Sequence, residues 1–146
     1  MREIDPNYIG LIYGTLLRSL DRMGIKPNLI SRHAAGVLSQ LFDGPAKQVL
    51  DKKNLSTVEE LMAQIEKLKT SKISENSYSG NTINKKVIGC MYLPLNNTGK
   101  SMGYKACPMC IQALLIASSL KALNLGEVKD IQVENNEDTC QLKIIL

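Results

Sequence analysis

An α+β fold is what this sequence predicts, and three observations carry the prediction. Apolar residues fall at helical spacing through roughly the first 70 positions. At about Ser74 the composition turns to short β-prone pieces separated by Asn and Gly. One strongly apolar stretch, Tyr104 to Gly126, interrupts those pieces with the features of a buried helix. Together they predict N-terminal helices followed by a β-β-α-β-β unit, an antiparallel sheet covered by helices. The 146 residues, 44% of them hydrophobic and 22% charged, suit one domain over 1–146 with a core of its own.

Taken in order, Asp5 and Pro6 can open a first helix, and Ile9, Ile12, Tyr13, Leu16, Leu17, Leu20 and Met23 fall on one face of it before Gly24 ends it. A second helix runs from about Asn28 to Phe42, with Ile30, Ala34, Val37, Leu38 and Leu41 inward and Ala34, Ala35 and Gly36 making its middle thin. A short helix follows through Lys47 to Leu50. Ser56, Thr57, Glu59 and Glu60 spell a capping box for a third helix, whose negative end meets Lys67, Lys69 and Lys72. Val87 to Leu93 reads as a strand that Pro94 ends, and Leu95 to Gly103 as a loop. The central helix is expected from about 107 to 124, with Cys107 at the N-cap and Pro108 in the first helical position. Glu127 to Glu134 and Cys140 to Leu146 then form a hairpin around Asn135, Asn136, Glu137 and Asp138, and alternation places Cys140 toward the core.

Composition excludes several classes of function. The net charge of +4 comes from lysines scattered over helix ends and loops, without interleaved aromatics, so nucleic acid is not an expected partner. No apolar run reaches the length of a membrane span, and Met1 to Pro6 does not read as a secretory leader. A cytoplasmic protein with reduced thiols is the expectation. No phosphate loop, nucleophile elbow or metalloprotease helix motif is present, and His33 reads as a surface side chain. The chain is therefore read as a binding domain rather than an enzyme.

The four cysteines carry the chemistry. The central helix takes the chain about 26 Å from Cys107 at 1.5 Å per residue, and the next strand returns about 23 Å at 3.3 Å per residue. The hairpin before Cys140 therefore comes back to the helix start, and Cys90 ends a strand leading to the same place. Cys90, Cys107, Cys110 and Cys140 then describe a tetrahedral thiolate metal site, with zinc the first choice and an iron–sulfur cluster using the same ligands. Two other readings stand beside it. Cys90 and Cys140 are ordinary core thiols in one; in the other, the C-P-M-C helix start works as a thiol redox site.

The stretch from Cys107 to Ile145, together with the Met23-Gly24 turn and the Ala34-Ala35-Gly36 helix, resembles the 4-vinyl reductase domain family of hydrocarbon-binding proteins. This sequence departs from the family in carrying Gln132 and Glu134 where a cysteine usually precedes the last hairpin, and Leu142 where an aromatic is common. The Cys107 and Cys110 pair would take that ligand's place. The resemblance implies the fold of the small subunits of the TRAPP vesicle-tethering complex, a pocket for a small apolar ligand, and a homodimer joined through the helical face. Leu16, Leu17, Leu20, Val37, Leu41, Leu114 and Ala117, from the first two helices and the central one, are the candidate pocket lining. A protein-protein interaction module without ligand is the remaining alternative.

Overall fold

The computed structural model describes residues 12, 15, 16, 19, 20, 22–25, 27–41, 50, 55–101, 103 and 110–146. Residues 12, 15, 16, 19, 20 and 22 are helical, and this first helical stretch closes at Gly24. There the Ile25 N–H reaches back to the Leu20 carbonyl (3.0 Å), and Gly24 supplies the positive φ of 70° that such a closure needs. Then come α1 (Pro27–Leu41), α2 (Val58–Glu66), β1 (Ile73–Ser79), β2 (Thr82–Ile88), α3 (Leu93–Ser101), α4 (Ile111–Ala122), β3 (Asp130–Asn136) and β4 (Thr139–Ile145). The strands form one antiparallel sheet in the order β1-β2-β4-β3, so the fold is α+β as expected.

Local chemistry explains the element ends. Thr57 caps α2 and the Glu60 carboxylate returns to the Thr57 N–H (3.1 Å), the full capping box that the sequence spells. Expected to reach the lysines near 72, α2 instead stops at Glu66, and Lys69 turns into the left-handed region at φ 50°. At the far end of α4, the Leu125 N–H bonds the Leu120 carbonyl (2.9 Å) and the Asn124 N–H bonds that of Lys121 (3.2 Å), with Asn124 at φ 56°. Asn takes this role because its short polar side chain tolerates the left-handed conformation better than most.

Three sequence expectations are corrected. The strand placed at Val87 to Leu93 lies at Thr82–Ile88, because Gly89 at φ 63° turns the chain out of the sheet before Cys90. Lys85 occupies a core-facing position, which breaks the alternation that would have marked this strand. The expected loop at Leu95 to Gly103 is largely helix, since Pro94 falls in the first turn of α3, where its missing N–H costs nothing, rather than ending a strand. Among the described residues, the connection between β2 and β3 therefore holds two helices where one was expected. The central helix also starts later than position 107: its N-cap is Cys110. Asp5, Pro6, Cys107, Pro108 and positions 47–49 of the expected short helix lie outside the described residues.

One face of the sheet is packed and the other faces water. Ile83, Lys85 and Val87 of β2 and Cys140, Leu142 and Ile144 of β4 point inward, while Asn84, Lys86, Gln141 and Lys143 point out. α4 crosses the inner face and organises two apolar clusters along its length. In the larger, Ile116 and Leu120 meet Ile83 and Ile144 of the sheet, Leu61, Met62 and Ile65 of α2, and Leu50. In the smaller, at the N-terminal end of α4, Ala113 meets Val87 and Leu142. α1 packs along α4 with Ala35 buried, and its Arg32 reaches Glu127 (2.9 Å), which also pairs with Lys121 of α4 (3.3 Å). No helix among the described residues is long and apolar enough to cross a membrane.

A candidate thiol centre at the start of the buried helix

Three separate segments bring cysteines to the small cluster. Cys90 follows β2 in a strap whose backbone is pinned on both sides: the Gly89 N–H bonds the Asp138 carbonyl (3.0 Å) in the β3–β4 turn, and the Met91 N–H bonds the Thr70 carbonyl (2.8 Å). A Cβ at Gly89 would stand 2.8 Å from the Lys72 side chain, so this turn requires glycine for space as well as for φ. Cys110 is the N-cap of α4, and its carbonyl accepts the first helical bond from Leu114 (2.9 Å). Cys140 lies on the inner face of β4, opposite Val87 of β2 and Asn135 of β3. All three pack against Val87, Ala113 and Leu142 and line one cavity of about 20 Å³ together with Tyr92 and Gln112. They are free thiols.

Nitrogen donors face each sulfur. The Tyr92 backbone N–H (3.4 Å) and the Gln112 side-chain amide (3.2 Å) donate to Cys90 Sγ, and the Asn135 amide (3.1 Å) donates to Cys140 Sγ. The Gln112 and Ala113 backbone N–H groups lie toward Cys110, without closing a side-chain cap bond. Burial outweighs them and pushes the Cys110 thiol up to about 11, with Cys90 and Cys140 adding in the same direction. Burial also raises the Tyr92 phenol, again helped by Cys90 and Cys110.

The space available decides what fits. A cavity of about 20 Å³ holds one water-sized occupant, such as an ion among sulfurs, and is far too small for an apolar ligand. Among the described residues, no three His, Cys, Asp or Glu side chains already stand together as a metal-holding group. The N–H groups aimed at Cys90 and Cys140 can also donate to a metal-bound thiolate, whereas burial of Cys110 favours its neutral thiol.

The candidate pocket residues are not gathered in one place. Ala117 is buried, and Leu20 and Leu114 are half-buried. Leu16, Val37 and Leu41 are 51%, 57% and 40% exposed, so they lie on the outside of the helices instead of around an interior space. Leu17 lies outside the described residues. A wider concavity of about 480 Å³ sits on the open side of the sheet with Glu75, Lys86, Glu134 and Lys143 among its walls, a solvated polar surface rather than an apolar pocket.

One buried cluster has no counterpart in the sequence reading. Lys85 is only 2% exposed, and its ammonium is held by the Glu66 carboxylate at the end of α2, by Ser74 Oγ (2.6 Å) and by Asn76 Oδ1 (3.4 Å). The Asn76 amide in turn donates to Glu66 (3.1 Å). Partial burial would raise the Glu66 carboxyl, but the bonds from Lys85, Asn76 and Ser74 prevail and hold it below the usual range. The signal available in sequence was Lys85 at an inward position between Ile83 and Val87, with Ser74 and Asn76 alternating on the neighbouring strand. No family of known proteins matches this chain, and no curated protein matches it.

Proposed function

We propose that this protein is a binding or sensing domain for a small apolar molecule, of the 4-vinyl reductase kind, braced by a structural metal held by Cys90, Cys107, Cys110 and Cys140. The observation that carries the metal part is the meeting of Cys90, Cys110 and Cys140, from three distant segments, around one ion-sized cavity with N–H donors facing the sulfurs. Zinc is the fitting ion, with an iron–sulfur cluster as the alternative on the same ligands. When bound, it ties the strap after β2, the start of α4 and the β3–β4 hairpin into one unit.

The ligand part rests on the helical layer. Ala35 of α1 and Ala117 of α4 are small and buried, α1 packs along α4, and Leu16, Val37 and Leu41 present apolar surface that one protomer leaves open. Such a surface supports a homodimer in which a second copy covers the helical face around Leu16, Val37 and Leu41. A thiol redox enzyme is the less favoured reading, because an attacking thiol needs a lowered pKa and the surroundings of Cys110 raise it.

Purified protein is expected to carry about one metal equivalent per chain, and to sediment as a dimer at micromolar concentration. Cys140→Ser should release the metal and lower stability by several kcal/mol. Metal-free protein with four freely titrating thiols and unchanged folding would overturn the metal site, and a strictly monomeric species would overturn the dimer.

A further inference from the structure

On the side of the sheet away from α4, the strands surround a concavity of about 480 Å³. Strand register sets its walls: Glu75, Lys86, Gln141 and Glu134 stand in one row across β1, β2, β4 and β3, and Ser77, Asn84, Lys143 and Gln132 stand in the next. Folding alone does not ask for these residues. Asn, Glu and Lys are depleted in strands, and neither row holds the β-branched or aromatic side chains that stabilise an exposed sheet face by cross-strand packing. Nor do the charges serve one another. Glu75 is directly opposite Lys86, yet none of Glu75, Lys86, Glu134 and Lys143 forms an ion pair among the described residues. The layout is ordered by sign, with the cations on the two inner strands and the carboxylates on the two edge strands, roughly 14 Å apart at three strand spacings.

We propose that this concavity is a binding site for a small hydroxylated anion, a molecule of monosaccharide size that carries one phosphate or carboxylate group together with several hydroxyls. Lys86 and Lys143 are diagonal neighbours on adjacent strands, a separation that long side chains bridge, so both ammonium groups can donate to one anionic group between them. Glu75 and Glu134 then accept from hydroxyls on either side, and the amides of Asn84 and Gln141 serve as donor or acceptor. The walls disfavour other occupants. Carboxylates at both edges repel a long polyanion, and no aromatic side chain stands among the described walls to stack a base. An apolar molecule would leave the polar walls without partners. The volume falls within the range of small-molecule sites, about 300–1,000 Å³. Because this site lies on the opposite face of the sheet from the thiol centre, it depends on neither the metal nor the apolar ligand proposed above.

The experiment is an NMR titration of the full chain with glucose-6-phosphate, gluconate, glucose and inorganic phosphate, in wild type, Lys86→Gln, Lys143→Gln and a double variant, Glu75→Gln with Glu134→Gln. All four positions are exposed, so folding should persist, and the dispersion of the spectra checks it. Glucose-6-phosphate or gluconate should shift the amides of Asn84, Lys86, Gln141 and Lys143 saturably, and the tighter of the two assigns phosphate or carboxylate as the anionic group. Each lysine variant should bind that probe roughly 2- to 5-fold more weakly. Glucose, without the anion, should give no saturable shift. The double carboxylate variant should also weaken the sugar anion while binding inorganic phosphate more tightly, because it loses hydroxyl acceptors and gains positive potential. Absence of saturable shifts with both hydroxylated anions overturns the proposal. So does a double variant that tightens the sugar anion and inorganic phosphate alike, since the face then attracts charge without recognising hydroxyls.

Discussion

A buried ion pair and a cluster of thiols stand on the inner face of the same sheet, and their surroundings differ. Around Lys85 a buried cation meets a carboxylate, a hydroxyl and an amide oxygen, all supplied by the chain. Around Cys90, Cys110 and Cys140, N–H groups point at two of the sulfurs, and burial favours the neutral thiol at Cys110. The first cluster is electrostatically complete as it stands. A thiolate form of the second would call for a cation, as in the proposed metal centre. Because Lys85 and Val87 are neighbours on one face of β2, a single strand carries a self-sufficient ion pair next to the proposed metal centre, and the two should respond to different perturbations.

Removing the proposed metal should produce the largest effect and confine it to one side. Chelation is expected to lower stability by several kcal/mol, and hydrogen exchange should accelerate at Ala113, Val87 and Cys140. Ile83 and Leu120, which belong to the larger cluster, should remain the slowest to exchange. Uniform acceleration throughout the sheet would show that the two clusters are one cooperative unit and remove the contrast.

Glu66→Ala should reverse the pattern. It leaves Lys85, whose side chain is 1% exposed, with no counter-charge, and breaking a buried pair this way costs about 3 kcal/mol, the low end of the usual range because Glu66 itself is part-exposed. Metal content should stay at the wild-type level. Replacing both partners by apolar residues, Glu66→Leu with Lys85→Met, should recover most of the loss in a denaturant titration. Acid tests the same pair. Since the folded-state Glu66 pKa lies below its unfolded value, the pair's contribution is fully present above about pH 4.3 and fades as pH falls through the lower, folded value.

How far sequence reached can be argued from particular residues. The α2 cap, the closure at Gly24, the apolar run of α4 and the inward side of Cys140 were legible because each depends on residues close in sequence. β2 was misplaced because Lys85 sits where a hydrophobe was expected, and its partner Glu66 lies on another element. α3 was read as a loop because LPLNNTGKS has little helical preference of its own. Cys90, Cys110 and Cys140 line one cavity while Cys107 of the expected set lies outside the described residues, and the Gln112 to Cys90 contact spans 22 positions that no local pattern announces.

The smallest expected effect calibrates the other two. Thr57 accepts a bond from the Glu60 N–H through its hydroxyl (3.2 Å), while the Glu60 carboxylate takes bonds from the Ser56 N–H (2.8 Å), the Ser56 hydroxyl (2.9 Å) and the Thr57 N–H. Thr57→Ala removes the acceptor at the N-cap and leaves the returning carboxylate in place, so the loss should be about 1 kcal/mol. α2 carries Leu61, Met62 and Ile65 into the larger cluster and ends at Glu66, but its capping box lies at the opposite end from Lys85. The loss should therefore be the same in metal-loaded and metal-stripped protein, and additive with Glu66→Ala to within about 0.5 kcal/mol. A cap effect that grows once metal is removed would mean that α2 and the thiol centre are energetically coupled, and that the two clusters on the sheet do not respond separately.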